Sequence, residues 1–259
     1  HDGSGKNAFK NPLSFRYLDD NFIESDAVKI GKTFMDYLKK TKDPRIHVYC
    51  SLKDGNTEFD KQFGLPNGYD SHTIADAPSG SFVGLENTSN FNISTILRLD
   101  APTIFLMPSE TKLLLAEAVL RNWTNGNAEV LYKEAITSSM KEQEIAYGTQ
   151  GKITDEEIET YLAQNLFSTA NNTEKLQIIG EQYWVATFIN GYESYANWRR
   201  TGYPKLIPTN YSGSMSPGVI PTRLPYPTDE YSINRANVDT ANQQQGADKV
   251  TTHIWWDID

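Results

Sequence analysis

Apolar residues recur at helical spacing in four stretches of the chain. Over 21–42, Val28, Phe34, Met35 and Leu38 mark one face, and Ser25 offers a cap. Asp43-Pro44-Arg45 ends that run, because the residue before a proline is pushed out of the helical region. A second helix starts at Pro108-Ser109-Glu110 and carries Leu113, Ala116, Glu117 and Leu120 toward Trp123. Asn125-Gly126 makes a turn into a third helix, from Ala128 to about Tyr147. Thr154-Asp155-Glu156-Glu157 has capping-box spacing and opens another over 154–164. The longest, from about Thr173 to Arg200, is apolar nearly all round, as a central buried helix would be, and Gly202 and Pro204 end it.

The remaining pattern is weaker. Ile46 to Leu52 is a short apolar run that reads as a strand. Residues 53–100 hold no period and carry Gly55, Gly64, Gly68, Gly80 and Gly84 with Pro66 and Pro78. Irregular stretches of that length inside a domain are uncommon and often functional. Residues 201–259 are rich in proline and end on Trp255-Trp256-Asp257, a pair expected to dock into a core. Ala128, Tyr132 and Ala135, with Ala116 on the preceding helix, have the small–aromatic–small spacing of a tetratricopeptide pair. Such a pair cannot bury its face alone, and no convincing second copy follows.

Charge and composition remove several classes of function. With 24 basic and 33 acidic residues there is no basic footprint for nucleic acid. Cys50 is the single cysteine, so no disulfide framework exists. No run approaches the ~20 apolar residues that a membrane-spanning helix needs. The chain opens His1-Asp2-Gly3 without Met, charged leader or apolar leader, which fits a removed signal or a piece of something longer.

Motifs of chemistry are sparse. There is no phosphate loop, no dinucleotide glycine pattern and no nucleophile elbow. His1, His47, His72 and His253 show no zinc spacing, so no metal is expected from them. His47 and Cys50 are three apart, which in a strand places them on opposite faces. Asp54, Glu58, Asp60, Asp70 and Asp76 could hold calcium but lack the spacing of a calcium loop. Glu156, Glu157 and Glu159 suit the solvated start of a helix. A glycoside-hydrolase carboxylate pair, about 5–10 Å apart, leaves no sequence signature, so that class stays open beside a tetratricopeptide protein–protein scaffold.

The 5 Trp, 14 Tyr and 11 Phe suit a surface that stacks on sugar rings. The irregular region supplies Phe59, Phe63, Tyr69, Phe82 and Phe91 interleaved with Asn67, Asp70, Asn87 and Asn90. Loops on a rigid scaffold concentrate binding residues, so Tyr69, Phe82, Phe91, Asn67 and Asp70 are the candidate ligand contacts.

One ordered set of motifs goes further. It comprises Gly191-Tyr192-Glu193-Ser194-Tyr195-Ala196-Asn197-Trp198-Arg199-Arg200-Thr201-Gly202-Tyr203-Pro204, then Ile220-Pro221-Thr222-Arg223-Leu224-Pro225-Tyr226-Pro227, then Gly246, Asp248 and Trp255-Trp256-Asp257. With Asp43-Pro44-Arg45 and the Glu110…Leu115-Ala116-Glu117-Ala118 helix, it resembles the C-terminal part of the SusD/RagB outer-membrane lipoproteins of Bacteroidetes. The resemblance implies a mainly α, SusD-like fold: tetratricopeptide-type helix pairs, long irregular loops and little β. It implies that 1–259 is the C-terminal portion of one such domain. Residues 1–108 would be a helix plus a loop-rich region, 109–200 the helical core, and 201–259 a proline-rich tail packing back on the core. It implies a non-catalytic binder of glycans, or in some relatives peptides. Such a protein is lipid-anchored on the cell surface and capped onto a SusC-like TonB-dependent transporter for nutrient uptake. No cofactor is implied. Family members are about twice as long and carry a lipidation cysteine and N-terminal helical repeats, so the missing N-terminal half counts as a partner. Glu117, Trp198, Arg199, Arg200, Arg223, Trp255 and Trp256 form the structural signature. Arg199 and Arg200 are expected to complement a helix end and pair with Glu117, and the two tryptophans to plug the core.

Overall fold

The computed structural model describes residues 11–14, 29–70, 72–211 and 213–257. Among these the chain is mainly helical with little strand. Two compact units emerge: residues 1–67 with 71–205, and residues 68–70 with 206–259.

In the first unit α1 (Lys32–Thr41) buries Phe34, Met35 and Leu38, the face that the spacing marks. Ser25 and Val28 lie outside the described residues. Lys42 adopts a left-handed conformation (φ 52°) and closes α1, with the Asp43 N–H donating to the Leu38 carbonyl at 2.8 Å. The chain then makes a short helix, α2 (Ile46–Tyr49), where the apolar run suggests a strand. Asp43 Oδ1 accepts from the Arg45 N–H at 3.0 Å, and Pro44 is already set to a helical φ, so a helical turn starts immediately. Only Cys50–Ser51 (β1) is extended, pairing antiparallel with Asn90–Phe91 (β2).

The intervening stretch is irregular, as the lack of period suggests, with 3-10 turns at Phe59–Lys61, Ile74–Asp76 and Leu85–Asn87. Long-range bonds hold it to the start of α1. The Leu65 N–H donates to the Ile30 carbonyl at 2.7 Å, and the Ile30 N–H to the Ser89 carbonyl at 2.8 Å.

The helical body is α3 (Pro108–Leu120), α4 (Ala128–Tyr147), α5 (Asp155–Gln164), α6 (Asn172–Ala186) and α7 (Gly191–Thr201). Its caps are side chains. Asn127 Oδ1 accepts from the N–H groups of Glu129 and Val130. The Thr154–Glu157 capping box forms as its spacing requires, and Asn171–Glu174 repeats it on α6. Ala116, Ala128, Tyr132 and Ala135 are all buried and α3 packs against α4, while the Tyr132 ring stacks on Phe167 with centroids 4.5 Å apart. The continuous helix expected over 173–200 is two. Asn190 Oδ1 accepts from the Glu193 N–H and caps a new start, α7. α6 buries Ile179, Gln182, Tyr183 and Val185, whereas α7 buries only Asn197, and its Tyr192 is 90% exposed. Gly202 (φ 69°) terminates α7 in the left-handed region.

The second unit contains two helices that the sequence pattern does not announce, α8 (Thr228–Ile233) and α9 (Arg235–Gln245). Its centre is the buried Asp248 carboxylate. It accepts from Arg223 Nη2 at 2.8 Å, from Tyr231 Oη at 2.6 Å and from the Tyr226 N–H at 3.0 Å. The Thr222 N–H donates to the Val250 carbonyl at 2.8 Å, holding the proline-rich segment extended. The terminal tryptophans correct the expectation of a core plug. Trp255 is 85% exposed and Trp256 48%, on a turn closed by the Asp257 N–H donating to the Ile254 carbonyl at 2.8 Å, so neither indole is enclosed in a core.

Candidate ligand-binding surface

The first unit carries its surface loops on a scaffold locked by two charge clusters, one fully buried and one in which exposed or half-buried arginines hold a buried acid. At the first, the Asp43-Pro44-Arg45 step folds back on itself. Arg45 Nε donates to Asp43 Oδ1 at 2.9 Å, and both side chains are fully buried. Arg45 Nη1 reaches Ser139 Oγ on α4 at 2.9 Å, and Nη2 reaches Gln182 Oε1 on α6 at 2.7 Å. Gln182 Nε2 in turn donates to the hydroxyls of Tyr161 and Tyr37. Burial opposes the guanidinium charge, but the Asp43 carboxylate outweighs it and pushes the Arg45 pKa up. One arginine thus ties the α1–α2 junction to α4 and α6, and through Gln182 to α5.

At the second cluster Arg200, at the end of α7, grips Glu117 of α3 bidentately, with Nη1 and Nη2 each at 2.7 Å. Arg121 Nε adds a third bond at 2.7 Å. Burial pushes the Glu117 carboxyl up, but these arginine bonds prevail and hold it below the ordinary carboxylate range. Of the two arginines expected at Glu117, Arg200 makes the pair. Arg199 lies over the Tyr195 ring at 5.9 Å, and Tyr195 stacks on Trp198 with centroids 6.0 Å apart.

The five candidate ligand contacts are placed unequally. Asn67, Phe82 and Phe91 belong to the first unit, and Tyr69 and Asp70 to the second. Asn67 is exposed, with its amide beside Gly31. Phe82 is half-buried. Phe91 packs one side of its ring on Phe188 at 5.4 Å, at the edge of the aromatic cluster of Phe34, Tyr49 and Trp184. Asp70 Oδ2 accepts from Tyr211 Oη at 2.7 Å, and Tyr69 beside it is half-buried. None of the five lines the cleft of about 570 Å³ that Phe59 and Tyr161 border. Phe59 stands out in the sequence as a loop aromatic, but its neighbours on α5 lie about a hundred residues away, and spacing carries no signal of that meeting.

The acids named for calcium do not converge: among the described residues no group of three or more His, Cys, Asp or Glu side chains could hold a metal ion. Asp54 is spent on a local turn, accepting from the Asn56 N–H at 2.9 Å. Cys50 is fully buried, and burial pushes its thiol up, away from the thiolate that nucleophilic chemistry requires. His47 Nε2 lies 3.3 Å from the Lys152 carbonyl oxygen.

Comparison with known proteins gives these features a context. A SusD-like family described as "Starch-binding associating with outer membrane" matches residues 3–227. Among solved structures, the chain is similar to a chitin-binding protein, with 29% identity and a TM-score of 0.75 over 96% of this chain and 53% of that one. It is similar to a SusD homologue from Bacteroides fragilis (26% identity, TM-score 0.70, covering 89% of this chain and 52% of that one). It is likewise similar to one from Bacteroides uniformis (25%, TM-score 0.73, covering 96% and 54%). The chain therefore spans about half the length of the structures it matches. No protein with a curated description matches it.

Proposed function

The chain belongs to the SusD-like family, and on that premise we propose that it is part of a cell-surface protein that binds glycans without transforming them. The observation that carries this reading is the family match over residues 3–227, supported by similarity to a chitin-binding protein along nearly the whole chain. The physical arrangement supports it too. Loops rich in aromatics and amides stand on a scaffold fixed by arginines paired to buried acids, the usual division of labour between binding and support. The same reading includes an outer-membrane location and delivery of the bound glycan to a SusC-like TonB-dependent transporter. Among the described residues no helix is long and apolar enough to cross a membrane. Cys50 is enclosed in the core. Attachment to the membrane through a lipid is part of the same proposal.

Affinity electrophoresis of the protein in gels containing soluble starch or glycol chitin tests the reading. Retardation by at least one polysaccharide, without release of reducing sugar on prolonged incubation, is expected. Tyr69→Ala is expected to reduce the retardation. Sugar release would overturn the non-catalytic reading, and no retardation by any of a broad set of polysaccharides would overturn glycan binding.

A further inference from the structure

We propose that the cleft between α2, the 59–61 turn and α5 is a second saccharide subsite, separate from the loop residues Tyr69 and Phe82 and sized for a short neutral oligosaccharide. The inference rests on the glycan-binding reading above and adds a location and a ligand class to it.

The cleft holds about 570 Å³, within the roughly 300–1,000 Å³ of small-molecule sites. Its apolar lining is Pro44, Ile46, Phe59 and the Tyr161 ring. That floor is rigid. Ile46 and Tyr161 are almost fully buried, the Tyr161 hydroxyl accepts from Gln182 at 2.7 Å, and the Arg45 guanidinium lies 5.9 Å from the Tyr161 ring. Phe59 is half-buried, presenting an aromatic surface at the edge of the cleft.

The polar lining follows from helix geometry. Glu156, Thr160 and Gln164 are spaced by four along α5, so they form one row up the same face of the helix. A carboxylate, a hydroxyl and a carboxamide in a row offer acceptors and donors at one-turn intervals, about 5–6 Å apart. Ile46 and Tyr161 back the cleft from within, so its accessible apolar surface comes from Pro44 and the Phe59 ring; that ring with such a row beside it matches a pyranose, whose axial C–H face is apolar and whose edge carries hydroxyls. Charge narrows the class further. Glu156 and Glu157 line the cleft against the ammonium of Lys42, so an anionic sugar or a phosphate meets net repulsion. Burial raises the Glu157 carboxyl, but bonds from Thr154 outweigh it and keep that carboxylate charged and in place as a fixed negative wall. The occupant is therefore a neutral sugar of one or two units.

The test is a titration of the ¹⁵N-labelled protein with maltose and, separately, with N,N′-diacetylchitobiose. At least one disaccharide is expected to shift the amide signals of 44–47, 59 and 156–164. Thr160→Trp, at an exposed position, fills the cleft and is expected to weaken that binding at least tenfold with an unchanged melting temperature. Phe59→Ala is expected to weaken it by a similar factor, with circular dichroism confirming the fold. Galacturonic acid disaccharide is expected not to bind. Unmoved cleft signals with both disaccharides, while polysaccharide retardation persists, would overturn the subsite and leave the glycan-binding reading standing. Variants that bind the disaccharides as tightly as the parent does would overturn the subsite in the same way. Loss of all saccharide binding, polysaccharides included, would overturn both.

Discussion

Arg45→Met isolates the contribution of the buried hub. The substitution keeps an unbranched, flexible side chain of similar reach but removes the charge and all four side-chain hydrogen bonds that the guanidinium donates. Asp43 is then left fully buried with the residue-45 N–H as its remaining donor, and Ser139 Oγ and Gln182 Oε1 lose their partner. Removing one member of a fully buried ion pair typically costs about 3–5 kcal/mol, because the other charge stays desolvated and uncompensated. For a chain of this size each kcal/mol moves Tm by about 2–4 °C, so the variant should melt roughly 6–20 °C lower. Urea unfolding followed by far-UV circular dichroism measures the same loss as a lower midpoint at constant slope. The cost arises from the stranded charge, so Asp43→Asn/Arg45→Met should recover part of it, since a neutral amide is less expensive to bury and can still accept from the residue-45 N–H. A loss below about 1 kcal/mol for Arg45→Met would refute the hub as a stabilising element. A double variant at least as unstable as the single would refute the charge-stranding argument.

The remaining predictions concern the second cluster and one tight packing site. Arg200→Ala should cost about 1–2 kcal/mol in chemical denaturation, discounted because Arg200 is 42% exposed, and it should cost less in a Glu117→Gln background; equal losses in the two backgrounds would contradict the assignment of the pair. Glu117 titrates below its ordinary value of 4.5 in the folded protein, so its contribution is complete above that value and is lost as pH falls through the depressed folded value. The stability gap between parent and Glu117→Gln should therefore narrow as pH drops from 7 to 3, and a widening gap would reverse the sign of the argument. Gly180→Ala would place a Cβ 2.6 Å from Tyr203 Cβ, so despite the better helix propensity of alanine it should lower stability by about 1–3 kcal/mol; a stabilised variant would show that the α6–Tyr203 contact yields.

How much of the molecule is readable from its sequence depends on whether the signal is local. The starts of α3 and α5 are legible because proline and a capping box act within four residues. The split between α6 and α7 is not. Phe188 and Ile189 keep the apolar pattern running through the break, and Asn190 caps the next helix without interrupting it. α2 passes for a strand because a seven-residue apolar run is too short to separate a strand from a helical turn, and the deciding contact is the Asp43 side chain on the Arg45 N–H. α9 is silent because it buries a single residue, Val238, and so has no amphipathic period. The cleft is the least legible feature. It is assembled from 42–47, 59 and 156–164, and no local pattern announces that meeting.

The motifs that make the family recognisable are therefore motifs of support. Arg45, Arg200 and Arg223 each satisfy a buried acid, and two of the three pairs join segments at least 25 residues apart. Such a residue type is hard to exchange, since lysine cannot reproduce a planar bidentate contact and an apolar substitute strands the acid. Sequence order around these pairs is therefore constrained by the scaffold whatever the ligand. The residues that would meet a sugar carry no such constraint. Tyr69 and Phe82 sit in an irregular stretch, and Thr160 and Gln164 are exposed positions of a helix that buries Ile158 and Tyr161. Ligand choice can thus change in those places at little cost to folding. A signature strong enough to assign the family is, for the same physical reason, silent about the ligand, and the proposed glycan contacts at the loops and the α5 row have to be tested at those residues.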